Sequence, residues 1–175
     1  MKKISCCFLS LLLLLSPFVS VTALAKTSNE NCHEQIPVYN PNNGALEFVD
    51  AEEVIVFPDG SKMITTIIQA QADAKTRGSI SGSRERLFLN DNNVLQFKVI
   101  LTATFSFNGT SSACTQAGSA TIVYSGNWSE ISNNTYPSSN VAIANVTVVR
   151  KILFIVVETQ NPVLTLHCDR YGNLY

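Results

Sequence analysis

Few side chains in this 175-residue chain can carry chemistry, and their spacing limits what they can do. There are two histidines, His33 and His167. His33 stands beside Cys32 in a polar stretch, where solvation is the expected state. His167 precedes Cys168, but neighbouring residues of a strand point to opposite faces, so a Cys–His dyad there is geometrically poor. His167 and Asp169 can share a face with Thr165, yet no G-x-S-x-G elbow supplies a nucleophile. An exposed polar edge accounts for them more simply.

The acids Glu47, Asp50, Glu52 and Glu53 form the densest cluster. Paired carboxylates serve glycoside hydrolysis, but one small domain with one Trp offers little of the aromatic-lined cleft a glycosidase uses. A solvated acidic face is the expected reading. Metal chemistry has weak support: Cys32-His33 lacks companions at zinc spacing. "NDNN" (90–93) lacks the Gly and the distant Glu of an EF-hand loop and reads as a hairpin turn. No Gly-rich loop stands between a strand and a helix, so nucleotide binding has no basis. No cofactor is expected. Tyr124, Trp128 and Tyr136 are the candidate ligand-contact rings, flat surfaces a sugar can stack on, although a Trp in a sandwich more often belongs to the core.

The N-terminus carries an export pattern. Lys2 and Lys3 precede an apolar run from Ile4 through Val19, and Ala23-Leu24-Ala25 is the small–x–small triplet that signal peptidase prefers. Residues 1–25 are therefore expected to be a signal peptide, with Cys6 and Cys7 leaving inside it. The apolar core falls short of the ~20 residues of a membrane span. Cleavage removes two of the twelve basic residues and no acid, which leaves a net charge of about −3. That is unlike a nucleic-acid binder. The mature chain is long enough for one domain with its own core, and no membrane span is expected after cleavage.

The elements that must position these residues are nearly all strands. Residues 26–44 read as a polar flexible leader. Residues 45–72 read as an N-terminal hairpin: "ALEFVDAEEVIVF" turns at Pro58-Asp59-Gly60 into "KMITTIIQAQA". Glycine- and serine-rich 73–83 reads as a loop. In "VLQFKVILTATFSF", Phe97, Val99, Leu101, Ala103, Phe105 and Phe107 share one face, while Lys98, Thr102, Thr104 and Ser106 share the other, the period of a half-buried strand. Asn108-Gly109 is expected to close a tight hairpin. "NVAIANVTVVR" and "LFIVVETQ", apolar on both faces, read as central strands. Residues 84–175 thus form the main β region, and 45–175 one all-β domain. An antiparallel β-sandwich is expected, with a small β-barrel as the alternative.

The mature chain retains Cys32, Cys114 and Cys168. An exported chain meets oxidising conditions. Cys114 opens the strand after the Asn-Gly turn, and Cys168 ends the last strand, facing inward with Leu164 and Leu166. A Cys114–Cys168 disulfide is expected, closing a 54-position loop worth roughly 4 kcal/mol in the chain-entropy model. Cys32 is then the odd one.

Thr104, Phe105, Phe107, Asn108, Gly109, Cys114, Trp128, Thr165, Leu166, Cys168 and Gly172 carry a pattern: T-x-T-F-x-Y-N-G, a nearby Cys, a Trp, a run of strands, and T-L-x-C before a Gly turn. It resembles that of small secreted β-rich proteins of Gram-positive bacteria, over about residues 86–175. Phe107 stands where that group usually has Tyr. The resemblance implies a secreted β-rich domain with a cysteine pair and implies no activity. The expected function is a non-enzymatic extracellular binding or surface-associated domain, with a cell-surface glycan or protein as partner. A small hydrolase using the clustered carboxylates, and a secreted effector or inhibitor, are the alternatives.

Overall fold

The computed structural model describes residues 26–27, 34–69 and 77–175. The expected signal peptide (residues 1–25), Cys32 and His33 lie outside the described residues. Twelve strands are described, in chain order: β1 (Lys26–Thr27), β2 (Glu34–Asn40), β3 (Ala45–Ala51), β4 (Glu53–Val56), β5 (Lys62–Gln69), β6 (Gly78–Leu89), β7 (Leu95–Phe107), β8 (Ser112–Val123), β9 (Trp128–Ser138), β10 (Val141–Ile152), β11 (Ile155–Gln160) and β12 (Val163–His167).

They form a β-sandwich of antiparallel sheets. One sheet runs β1-β4-β5-β6-β7-β8. In the other, β10 pairs with β9 on one side and with β11 and then β12 on the other. Between the sheets lies the main core. β7 contributes the six alternating residues expected of it, Phe97 through Phe107, all buried. β10 answers with Ala142, Ala144, Val146 and Val148, and β12 with Leu164, Leu166 and, just beyond its end, Cys168. Small alanines and large phenylalanines share this one cluster, a mix of sizes that lets facing layers interdigitate.

The β2–β3 hairpin is a third layer. It folds over the outer face of the larger sheet, where Ile36, Val38 and Ala51 bury Ile64, Leu87, Leu89 and Leu95. Part of the expected leader is thus strand β2. The expected single strand 45–57 breaks at Glu52 into β3, which pairs with β2, and β4, which pairs with β5. Residues 78–83, expected as loop, extend β6, because Gly78–Ser83 finds a complete partner ladder in Phe107–Thr102. A long partner strand overrides weak local propensity.

Candidate functional site

The expected Cys114–Cys168 disulfide is not formed; both residues are free cysteines. Their strands flank the β9–β10 turn from two sides. The Cys114 N–H donates to Ser139 O (2.7 Å) and the Cys168 N–H to Asn140 O (3.1 Å). Each thiol turns to its own strand: Cys114 Sγ donates to Gln116 O (3.4 Å) and Cys168 Sγ to Asp169 O (3.3 Å). Cys114 also sits beside a bulge in the β7–β8 ladder, which redirects side chains locally. Burial pushes the Cys114 thiol up and, with the Asp169 carboxylate beside it, pushes Cys168 up to about 11. Raised values are the reverse of what a nucleophilic cysteine needs.

The three candidate rings do not converge. Trp128 is 5% exposed and anchors an aromatic cluster with Phe97 (5.0 Å) and Phe88 (5.2 Å). Tyr124 packs against the third layer on the far side of the larger sheet. Tyr136, 40% exposed on β9, stands without the other two.

The acidic cluster is spread over hydrogen bonds and ion pairs. Glu47 accepts from Asn43 and Asn40, which hold it below the usual carboxylate range. Glu52 pairs with Arg84 and Glu53 with Arg86, each at 2.8 Å. The same two guanidiniums cross to the other sheet: Arg84 Nη1 donates to Thr165 O (2.7 Å) and Arg86 Nη1 to Val163 O (3.0 Å). The carboxylates therefore position a clamp that caps the outer edge of β12. His167 stacks on Tyr175 (5.3 Å). Asp169 accepts from the Asn173 amide and from the N–H groups of Tyr171 and Asn173. It caps the terminal turn and is not aimed at an imidazole.

A cleft of about 250 Å³ opens at one end of the sandwich, lined among others by Asp59, Ser61, Asp91, Trp128, Arg150 and Glu158. Two of its acids are engaged. Asp59 accepts from the Ser61 hydroxyl (2.6 Å), which lowers its pKa. Glu158 pairs with Arg150 (2.9 Å), and Arg150 lies over the Trp128 ring at 6.0 Å. An acid catalyst needs a raised carboxyl, whereas among the described residues the shifted carboxylates, Glu47, Asp59 and Asp169, are all lowered. Among the described residues no three metal-ligating side chains converge, and no helix is long and apolar enough to cross a membrane.

The feature that sequence reasoning missed stands beside this cleft. β10 and β11 run past the last β9 pairing, at Arg150↔Trp128, and project as a ribbon closed by the two-residue turn Leu153-Phe154. All seven residues from Lys151 to Val157 are exposed, with Leu153 at 85% and Phe154 at 97%. Both turn residues have positive φ, 49° and 70°. A two-residue turn with two positive φ values normally holds Asn-Gly or Asp-Gly; bulky side chains there cost ~1–2 kcal/mol each. Elsewhere the chain mostly puts glycine or asparagine at such positions, as at Gly44, Gly60, Asn93, Gly109 and Gly172. β11 was expected to be a central strand and is an exposed edge. An apolar run without alternation signals burial on both faces only when something covers both faces.

Compared with protein-family models, curated proteins and solved structures, the chain has no match. Function is therefore read from this chain's own geometry.

Proposed function

We propose that the protein is a secreted, non-enzymatic β-sandwich that attaches to a cell surface through the apolar tip of the β10–β11 hairpin. The observation that carries this reading is the tip itself. Large apolar side chains are held in solvent on a strained turn, at a cost to stability, where a soluble protein has no structural need of them. The engagement of Glu52 and Glu53 with arginine supports binding over hydrolysis. The burial of Trp128 supports an apolar contact over sugar stacking.

The test is binding of the fluorescently labelled protein to producer cells, purified cell wall and immobilised glycans, beside a variant carrying Leu153→Asn and Phe154→Gly. Saturable binding to cells or wall that the variant loses is the expected result. Equal binding by both proteins would remove the tip from the function. Catalytic release of product from a hydrolase panel would replace the reading altogether.

A further inference from the structure

The partner of an apolar hairpin can be a groove on a protein, a second copy, or a lipid surface. Three features of this tip discriminate among them. First, apolar side chains stand on both faces of the ribbon: Ile152 and Ile155 pair on one, Val156 stands beside Lys151 on the other, and Leu153 and Phe154 close the end. Ile152, Leu153, Phe154, Ile155, Val156 and Val157 are all exposed, so a partner touching one face leaves the other in water. A fluid apolar medium surrounds both. Second, the dimensions suit shallow insertion. Three residue rises separate the level of Val157 from the turn, about 10 Å at strand geometry, and interfacial segments sit ~5–10 Å into the headgroup–acyl boundary. Among the described residues, the β9 ladder ends at Arg150 and a last hydrogen bond, Lys151 N–H to Asn127 O (2.8 Å), follows it; no β9 pairing continues beyond, which forbids deeper burial in hydrocarbon. Third, the charge is arranged for a lipid surface. Residues 151–157 contain no acid, and the nearest one, Glu158, is paired with Arg150. Exposed Lys151 sits where the ribbon leaves the sandwich, placed to reach anionic headgroups while the apolar tip lies below them.

We infer that the β10–β11 tip is a membrane-interface anchor: Ile152–Val157 enters the headgroup boundary of a bilayer, with Lys151 on anionic lipid. This rests on the tip being the working surface and adds to it what the tip meets.

The experiment is flotation with protein-free vesicles of phosphatidylcholine, alone and mixed with phosphatidylglycerol. The protein is recovered from expressing cells, with its N-terminus established by intact mass. Wild type is expected to float with both vesicles, more with the anionic mixture. Leu153→Asn with Phe154→Gly suits the positive-φ turn better than the native pair, so it folds at least as well, and flotation drops by roughly tenfold or more. Lys151→Gln is expected to lose about fivefold on anionic vesicles and nothing on neutral ones. A Phe154→Trp variant adds a depth reading, because brominated lipid should quench the indole introduced at the tip and spare that of buried Trp128. Absence of flotation overturns the inference, as does equal flotation of the tip variant. If wild type binds cells through the tip but ignores vesicles, the partner is a protein and only the lipid assignment falls. Dimerisation lost in the tip variant, without flotation, assigns the tip to a second copy and equally overturns it. Equal cell binding by both proteins removes the tip reading as well.

Discussion

Cys168 and Cys114 are inert thiols in different degrees. Cys168 is fully buried and holds its proton to about pH 11, against an ordinary value of 9.0. The folded chain therefore binds more protons than the unfolded chain between those values, and stability falls as pH rises through that window. Below pH 9 the group contributes no pH dependence. At pH 8 roughly a hundredfold less thiolate forms than at an unshifted thiol. Brief alkylation of the native, unreduced protein should modify half-buried Cys114 first and leave Cys168 for the unfolded state, as read by peptide mass mapping. A crosslinked pair in that map would contradict the free thiols. The inward face of Cys168 was legible from the alternation Leu164, Leu166, Cys168. The direction of Cys114 was not, because a bulge beside it breaks the alternation and no local pattern announces it.

At the scale of elements, the sandwich guards one edge and leaves another open. β12 exposes carbonyls that would invite pairing by another strand, and Arg84 and Arg86 cap Thr165 O and Val163 O from the opposite sheet. Arg86→Ala strands both Glu53 and the Val163 carbonyl. It should cost about 1–3 kcal/mol in urea unfolding. Glu52→Gln removes only a partly exposed partner of Arg84, so it should cost no more than about 1 kcal/mol and leave cell binding intact. Equal costs for the two variants would remove the clamp as the stabiliser of this edge. β11 has no comparable capping described, and its turn carries Leu153-Phe154. The four-residue β7–β8 connection also departs from the tight turn expected there. Gly109 alone takes positive φ, while Asn108 accepts from the N–H groups of Thr110 and Ser111. An asparagine serves a turn either through its backbone or through its side chain, and the chain alone does not say which.

For the whole molecule, the β2–β3 layer seals an apolar patch that would otherwise face water. Removal of residues 34–51 exposes Ile64, Leu87, Leu89 and Leu95. The expected result is strong binding of an apolar dye and a clear fall in thermal midpoint. An unchanged dye signal would mean the layer is not what covers that face.

What the sequence by itself determined is the all-β class, the β7 core face and the turn at Pro58–Ser61. Each follows from a local cause, period-two alternation or the φ freedom of a particular residue. Tertiary structure decided which strands are central and which are edges, whether two thiols face each other, and where a carboxylate finds its arginine. These depend on which distant segments become neighbours. An apolar run such as "ILFIVV" reads the same whether a second sheet covers it or nothing does. Only the packing of β9, which ends its pairing at Arg150, left that run projecting from the fold.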